Sequence, residues 1–328
     1  MLPTVSIIIP CYNEEKTIRT LLDAILAQTY PREQMEVIIA DGLSEDKTRE
    51  KIAAFRDLHP DLELTVIDNM ARIIPAGLNL AIGASSGEII VRLDAHSAPN
   101  PDYLSLSVDA LTAGRGDNVG GVWNIQPGGE GWVAASIAAA AAHPLGVGDA
   151  LYRHTTQAQE VDTVPFGAFR RELIERIGLF DETLLANEDY EFNTRIRQAG
   201  GKIWLDPTIR SIYFARPTLK ALSIQYWRYG FWKWQMLRRY PETLRWRQAL
   251  PPVFVLSILG LLLLGIFNPF IFLLLAVELF LYFFVLTLAA VKEKKFGMPL
   301  AISMMHISWG SGLLWSLVGS LSKVKMNG

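Results

Sequence analysis

Residues 88–100 read EIIVRLDAHSAPN, and the rest of the chain is interpreted outward from this stretch. Its apolar half is rich in β-branched residues, is interrupted only by Arg92 and ends at polar residues and a proline, which is typical of a buried strand. Asp94 then lies at the carboxyl end of that strand, where open α/β sheets bind ligands. An acid at that edge, two positions before His96, can hold a cation or the ribose of a nucleotide. The alternative is that Asp94 only caps a turn.

Three more strands precede this stretch, and helices alternate with them. The predicted strands are Val5 to Ile9, Glu36 to Ala40, Leu62 to Ile67 and Glu88 to Leu93, and the predicted helices run from Ile18 to Leu26, from Thr48 to about Arg56 and from Pro75 to about Ser85. This alternation predicts an α/β fold with a mostly parallel sheet, right-handed crossovers and flanking helices. Asp41 and Asp94 are therefore expected on the same rim of the sheet.

Composition restricts the classes of function. The 328 residues are 50% hydrophobic and 20% charged, and the apolar residues concentrate after Pro251. A net charge of -2 argues against nucleic acid as a partner, because phosphate binding needs a basic surface. The single Cys11 cannot form an internal disulfide and is expected to be a buried filler. The amino terminus has no basic region before its short apolar run, so we expect a first strand and a cytoplasmic location for the bulk of the chain.

Two common nucleotide-binding motifs are absent. No GxGxxG follows the first strand, and GxxxxGK[ST] occurs nowhere in the sequence. A nucleotide bound here would therefore be held by acidic side chains and a metal ion.

Four motifs in order resemble a known family. They are Pro10-Cys11-Tyr12-Asn13-Glu14-Glu15, the pattern Asp41-Gly42-x-Ser44-x-Asp46-x-Thr48, Asn79 in its helix, and Leu93-Asp94-Ala95-His96. Between Thr4 and Gly230 the chain resembles the inverting glycosyltransferases of family 2, which have the nucleotide-sugar-binding GT-A fold. Its Asp-Ala-His resembles the branch with the succinoglycan-type bacterial polysaccharide glucosyltransferases.

The resemblance implies how a donor sugar nucleotide is bound. It assigns Tyr12, Glu14 and Asp41 to uridine. The nucleotide-sugar site that it implies consists of Pro10, Tyr12, Glu14, Asp41, Asn79 and Asp94. In the family an Asp-x-Asp pair binds the diphosphate through a divalent metal, Mn²⁺ or Mg²⁺, but here His96 replaces the second Asp. Histidine can ligate Mn²⁺ whereas Mg²⁺ prefers oxygen, so His96 is either a metal ligand or a hydrogen-bonded loop residue.

A second acidic pair, Glu188-Asp189, begins a predicted helix. By itself the pair fits acids placed at a helix amino terminus, where the helix dipole favours them. The resemblance instead implies the catalytic base, because the pair is followed by Arg195 and Gly200 as in these enzymes. We assign the base to Asp189 and a supporting role to Glu188. Gly167 and Phe169, in the segment before the preceding helix, are assigned to the acceptor.

The carboxyl-terminal third changes character. We predict a GT-A domain over residues 1–215, a basic, Trp-rich interfacial segment over 216–250 and a membrane domain over 251–328. In the interfacial segment, Gln225, Arg228 and Tyr229 resemble the Gln-x-x-Arg-aromatic motif that binds lipid-linked acceptors in the family. The apolar stretches are Pro251 to Phe267, Phe270 to Val291 and Pro299 to Leu321, each about the length of a membrane span.

Details of these stretches carry further expectations. The sequence Lys292-Glu293-Lys294-Lys295 is expected on the cytoplasmic side by the positive-inside rule. The sequence Trp309-Gly310-Ser311-Gly312 is a possible break that would make the third stretch re-entrant. Glu278, within the second stretch, is expected to be protonated and hydrogen-bonded between helices.

The sequence therefore predicts a membrane-bound inverting glycosyltransferase of the bacterial inner membrane with a cytoplasmic catalytic domain. Its expected partners are a UDP-sugar, a polyprenyl-diphosphate-linked saccharide acceptor and the membrane, and the expected product is an extracellular or capsular polysaccharide precursor. Glucose is the favoured hexose. The alternatives are a polyprenyl-phosphate monosaccharide synthase and a non-catalytic membrane protein that binds nucleotide sugars.

Overall fold

The computed structural model describes residues 2–326, with the side chains of residues 2–321. Each of its two compact units combines two segments, Met1–Asn124 with His154–Tyr213 and Ile125–Arg153 with Phe214–Gly328. The strands are β1 (Val5–Cys11), β2 (Met35–Asp41), β3 (Glu63–Asp68), β4 (Ile89–Arg92), β5 (Ser97–Pro99), β6 (Asn118–Pro127), β7 (Gln159–Glu160), β8 (Ala168–Arg170) and β9 (Ile203–Ala215). The helices are α1 (Ile18–Leu26), α2 (Thr48–Leu58), α3 (Ile74–Ala84), α4 (Tyr103–Thr112), α5 (Gly131–Ala142), α6 (Pro144–Val147), α7 (Glu172–Ile177), α8 (Glu188–Gln198), α9 (Leu219–Leu237), α10 (Trp246–Phe267), α11 (Ile271–Glu293) and α12 (Met298–Met326).

The first unit is built on a mixed sheet with strand order β3-β2-β1-β4-β8-β6-β9-β5, with β7 beside β9. Strand β1 pairs in parallel with β2 and β4, and β2 pairs in parallel with β3, which confirms the predicted parallel half. Strands β5, β7 and β8 pair antiparallel with their neighbours, so the sheet is less parallel than predicted. The reason is that the chain after Asp94 no longer joins neighbouring strands by regular helical crossovers, which parallel pairing needs.

Strand β1 lies at the centre of the parallel half, and all seven of its residues are buried. A strand covered on both faces is expected to be continuously apolar, as Val5 to Ile9 largely is. Helix α1 packs its buried face, made of Ile18, Leu21, Leu22 and Ile25, into the same core. Burying one such side chain contributes about 1.5–3 kcal/mol to stability. Because both β1 and α1 are anchored in this core, the loop between them is held at the edge of the sheet.

The second unit contains two helices that are long and apolar enough to cross a membrane, α10 and α11. Only 17% and 11% of their most apolar windows are buried within the protein. A core helix of a soluble protein would be mostly covered, so this exposure favours lipid contact. Between these two helices, Ser257 donates a 2.5 Å hydrogen bond to the Glu278 carboxyl group, which confirms the predicted interhelical bond, and the protonation of Glu278 stays a prediction.

The third apolar stretch forms one continuous helix, α12, and the predicted break at residues 309–312 is wrong. One glycine of α12, Gly312, and one of α9, Gly230, allow these two helices to pack closely. A Cβ at Gly312 would lie 2.3 Å from the Trp227 carbonyl oxygen of α9, and a Cβ at Gly230 would lie 2.0 Å from the Trp309 carbonyl oxygen. Small residues let helix backbones approach this closely. In α12 they therefore allow close packing, and the helix stays continuous. Within residues 2–326, α12 is not among the helices that are long and apolar enough to cross a membrane.

Helix α9, predicted as an interfacial helix, has one face covered by α12. Gln235 donates a 2.8 Å hydrogen bond to Ser316, and Trp234 donates a 2.6 Å bond to Ser320. Lys233, one of the basic residues of the interfacial segment, is only 1% exposed and donates to the Thr243 carbonyl at 3.2 Å. The basic surface expected of this helix is therefore smaller than its composition indicates.

Candidate active site

Acid-bearing loops meet at one edge of the sheet in the first unit. In the parallel register Cys11 pairs with Asp41, and Ile8 pairs with Arg92 two residues before Asp94. The carboxyl ends of β1, β2 and β4 therefore face the same side, which is the edge where such sheets bind ligands. The predicted common rim of Asp41 and Asp94 is confirmed.

The first part of this edge is formed by Tyr12 and Asp41. The Tyr12 ring is 43% exposed, with the Arg72 guanidinium 5.7 Å from its centre. Asp41 is fully buried and accepts hydrogen bonds from the Ser44 hydroxyl at 2.5 Å and from Arg49 Nε at 2.5 Å. Tyr12 therefore offers an aromatic surface to a ligand, whereas Asp41 mainly shapes the loop beside it.

Glu14 and His96 meet across the edge between β1 and β4. His96 Nδ1 lies 3.2 Å from Glu14 Oε1, and the two side chains are 27% and 25% exposed. Thr17 also donates to the second Glu14 oxygen. The structure thus brings together two residues predicted for different parts of the donor site.

The centre of the site is a carboxylate cluster, which we define as Asp94, Glu188 and Asp189, gathered around Arg92. Arg92 Nη2 donates to Asp94 at 3.1 Å and to Glu188 at 2.9 Å, and Nη1 donates to Asp189. Burial opposes the charge on Arg92, but Asp94 and Glu188 outweigh burial and raise the pKa of the guanidinium above its ordinary value. The predicted base and the predicted donor-side acid therefore lie at one place.

The donor set is compatible with a divalent cation. The cluster and Arg92 together carry two surplus negative charges, and a cation of charge +2 would neutralise them. The second Asp94 oxygen accepts no hydrogen bond from a described side chain, so Asp94 can offer it as a ligand. Within the part of the chain that the structure describes, no three His, Cys, Asp or Glu side chains are grouped so that they could hold a metal ion. A bound ion would therefore need further oxygen atoms from the bound substrate.

Helix α8 is fixed by buried polar contacts, and its first turn carries Glu188 and Asp189. Asn193 donates to Thr163 Oγ1 at 2.9 Å and to the Val164 carbonyl at 3.0 Å, and it accepts from Asn118 at 2.7 Å. Asn187, immediately before the helix, has the left-handed φ of 66°. These contacts set the angle at which the acidic pair enters the site.

Asn79 has a different environment from the one predicted. Its side-chain amide donates to the Phe180 carbonyl at 2.9 Å and to Glu182 at 2.8 Å, and its oxygen accepts from the Phe180 amide at 2.9 Å. Because both ends of the amide bind the loop after α7, we interpret Asn79 as a structural residue rather than a nucleotide ligand.

Three further predicted site residues are buried in the sheet. Phe169 is 1% exposed and packs on Phe192 with ring centres 5.1 Å apart, so its side chain belongs to the core. Gly167 is buried against Asn118, and Pro10 is buried within β1. Strand β8, which begins just after Gly167, lies between β4 and β6, and the part of Gly167 and Phe169 in acceptor binding stays a prediction. We interpret all three as residues that shape the site.

The predicted acceptor motif lies on α9, in the second unit. Gln225 donates a 3.0 Å hydrogen bond to the Tyr229 hydroxyl, which its helical spacing of four residues allows. Arg228 is exposed on the same helix. The three residues are grouped within their own unit, and their part in acceptor binding stays a prediction.

Arg92 is the functional candidate that sequence reasoning missed. In the sequence Arg92 interrupts an apolar strand, and a charged residue within a buried strand is rare unless it is paired. In an extended segment, residues two positions apart point to the same side, so the sequence predicts that Arg92 and Asp94 share a side. That spacing was the signal that could have identified it.

The fold and the acidic edge define a GT-A-type protein, and a solved structure agrees. The mannosyltransferase PcManGT from Pyrobaculum calidifontis, solved in complex with GDP-Man and Mn²⁺, superposes with a TM-score of 0.70 at 22% identity, covering 96% of this chain and 88% of that one. The sequence profile of glycosyl transferase family 2 matches residues 6–178. The chain belongs to this family.

Two curated relatives extend beyond that match. The succinoglycan biosynthesis protein ExoA of Rhizobium meliloti (strain 1021) is 31% identical over 75% of this chain and 73% of its own. A dolichyl N-acetyl-alpha-D-glucosaminyl phosphate 3-beta-D-2,3-diacetamido-2,3-dideoxy-beta-D-glucuronosyltransferase of Methanococcus voltae is 28% identical over 80% of this chain and 82% of its own. The predicted succinoglycan-type branch is thereby supported. The protein is a glycosyltransferase.

Proposed function

We propose that the protein is an inverting, membrane-bound glycosyltransferase that moves a hexose, with glucose favoured, from a UDP-sugar to a polyprenyl-diphosphate-linked glycan. The reaction would take place at the cytoplasmic face of a bacterial inner membrane, in extracellular or capsular polysaccharide synthesis. The ExoA relative supports the polysaccharide role, and the Methanococcus relative, named for a dolichyl-linked acceptor, supports a lipid-linked one. Helices α10 and α11 support the membrane location.

The observation that carries the proposal is the carboxylate cluster around Arg92. Inverting transfer needs a carboxylate that takes the proton of the acceptor hydroxyl while its oxygen attacks the anomeric carbon. A positioned base contributes about 10²- to 10⁴-fold in rate. Asp189 is the more exposed member of the acidic pair, with 26% of its side chain accessible against 9% for Glu188, so we assign the base to Asp189. Glu188 supports it through Arg92.

The donor would bind beside this cluster. The exposed Tyr12 ring can stack on the base of the nucleotide, and Glu14 with His96 borders the path from Tyr12 to Asp94. Asp94 and His96 would hold the divalent metal, Mn²⁺ in preference to Mg²⁺ because of the imidazole. When bound, that ion supplies positive charge to the departing diphosphate.

The test uses membranes that contain the full chain and radiolabelled UDP- and GDP-sugars, followed by lipid extraction. We expect label from a UDP-sugar in the lipid fraction. Asp189→Asn is expected to lower transfer at least about 10²-fold, because the base is lost. Asp57→Asn, at an exposed position of α2, is the matched control and is expected to keep the full rate. EDTA is expected to abolish transfer, and activity that resists EDTA would contradict the metal role.

The same assay separates the alternatives. A polyprenyl-phosphate monosaccharide synthase has a phosphate nucleophile that needs no strong base, so Asp189→Asn would retain transfer and the product would carry one sugar. A non-catalytic protein would bind a nucleotide sugar without labelling any lipid extract. Either result would contradict the proposed reaction.

A further inference from the structure

Arg92 is buried at the end of β4 with 3% of its side chain exposed. Its backbone amide donates to the Gly167 carbonyl at 3.1 Å, so the strand fixes where the side chain starts. Its Nε has no hydrogen-bond partner among the described residues, whereas both terminal nitrogens bind carboxylates. The side chain is therefore held by ion pairs at its tip alone.

The three acids come from distant parts of the sequence. Asp94 follows β4, whereas Glu188 and Asp189 begin α8, almost a hundred residues later. One guanidinium contacts all three, so the donor-side acid and the acidic pair of α8 are held a fixed, short distance apart. Carboxylates this close repel each other unless a cation lies between them. The planar guanidinium of arginine can bind two of them at once in a fixed hydrogen-bond geometry, which a lysine ammonium does not provide.

We propose that Arg92 is the positioning residue of the transfer reaction: it holds Asp189 at a set distance from Asp94, and thus the base at a set distance from the donor. The proposal rests on the proposed function. Arg92 itself is not the base and needs no contact with the substrate. Its effect is on the rate of the bound complex, because a misplacement of about 1 Å at a reacting group can cost about 10²-fold.

A structural ion pair is the competing explanation. It predicts that loss of Arg92 lowers the amount of folded protein without changing the rate per folded molecule. The positioning role predicts a lower kcat with little change in the donor KM, because Tyr12 and Glu14 still bind the nucleotide. A partly buried arginine without an acidic partner among the described side chains separates the two effects. Arg171 is such a residue, since its guanidinium binds the Gly87 carbonyl and the Ser85 hydroxyl, each at 2.8 Å.

The experiment compares Arg92→Met, Arg92→Lys and Arg171→Met with the wild type, all as full chains purified in detergent. Folded protein is quantified by gel filtration and thermal unfolding, and transfer is measured over donor concentration. We expect Arg92→Met to lower kcat about 10²-fold with the donor KM within about threefold. Arg92→Lys keeps the charge but loses the fork, so we expect it to recover about tenfold of that loss. Arg171→Met is expected to keep the wild-type kcat per folded molecule.

Several outcomes would overturn the proposal. A kcat of Arg92→Met within threefold of wild type would do so, as would an equal loss in Arg171→Met. If Arg92→Met does not fold, Arg92→Lys decides, because a wild-type kcat in that variant contradicts the need for the fork. A wild type that transfers no sugar contradicts the proposed function, whereas an active wild type with an equally active Arg92→Met contradicts the positioning role alone.

Discussion

Replacing Gly167 with alanine distinguishes a structural role of this residue from the acceptor contact that the sequence predicts. A Cβ at position 167 would lie 2.1 Å from Oδ1 and 2.6 Å from Nδ2 of Asn118. Asn118 is 3% exposed, and its Nδ2 donates to Asn193 in α8 at 2.7 Å. The Asn118 amide therefore cannot move away from the new methyl group without leaving Asn193.

The magnitude follows from two terms. Leaving the buried Asn193 oxygen unsatisfied costs about 1–3 kcal/mol. Crowding a packed site by one methyl group costs about another 1–3 kcal/mol, and the smaller backbone entropy of the unfolded alanine chain offsets about 0.4–1 kcal/mol. We expect Gly167→Ala to lower the free energy of unfolding by about 1–5.5 kcal/mol. Because Asn193 holds α8, we also expect a lower kcat.

The assay is urea unfolding of the full chain in detergent, followed by transfer kinetics over acceptor concentration. Gly83→Ala is the matched control, since a Cβ at Gly83 in α3 meets no atom within 4 Å, and we expect about 0.5–1 kcal/mol of stabilisation there. Adding Asn118→Ala to Gly167→Ala removes the clash, so the double variant is expected to be more stable than additivity allows. A Gly167→Ala protein within about 0.5 kcal/mol of wild type, with a raised acceptor KM, would refute the reasoning and restore the acceptor role.

Two further predictions concern packing and pH. Hydrogen bonds from Ser6 and Ser86 outweigh burial and lower the pKa of Glu36, so its contribution is present above the unfolded pKa and is lost as pH falls through the folded one. Because Glu36 is only partly buried, solvent screens its interactions, and Glu36→Gln is expected to cost about 0.5–1 kcal/mol at pH 7. Thermal unfolding should show this difference from the wild type closing below about pH 4. A gap that persists in acid would contradict this linkage. Gly230→Ala is expected to destabilise the packing of α9 on α12 by more than about 2 kcal/mol, because the new Cβ meets a backbone oxygen. Gly260→Ala, whose Cβ would meet no atom within 4 Å, is the control and is expected to be slightly stabilised, like Gly83→Ala. Equal unfolding temperatures for the two variants would exclude the close contact.

The parallel half of the sheet could be predicted because its strands are short apolar runs punctuated by polar residues. The periodicity of α1 and the acids after β2 and β4 then placed the ligand edge. The antiparallel half could not be predicted, because pairings such as β4 with β8 join residues almost eighty positions apart. Nothing local in Ala168–Arg170 shows which strand it will meet. For the same reason Phe169 was assigned to the acceptor, although the pairing buries it.

The site divides in a similar way. Local signals place Asp94 after a strand and Asp189 at the start of a helix, whereas the roles given to both acids come from the resemblance to family 2. Their meeting through Arg92 depends on tertiary structure, which only coordinates show. The third apolar stretch also illustrates the limit: glycine and serine within it predict a break, yet the same small residues permit close helix packing. Local propensity cannot separate these outcomes, since the neighbouring helix decides between them.

The charge of the site links its two predicted ligands. Asp94, Glu188 and Asp189 exceed Arg92 by two negative charges, and a sugar nucleotide brings a diphosphate that is also negative. Unit charges about 4 Å apart at an effective dielectric constant near 20 repel by about 4 kcal/mol, which would cost about a thousandfold in affinity. We therefore expect a donor to bind next to this cluster more tightly when positive charge arrives with it. Arg92 is already paired with the three acids, so we expect a divalent cation to supply this charge. Removing the cation should therefore lower the affinity for the donor more than it lowers the stability of the fold.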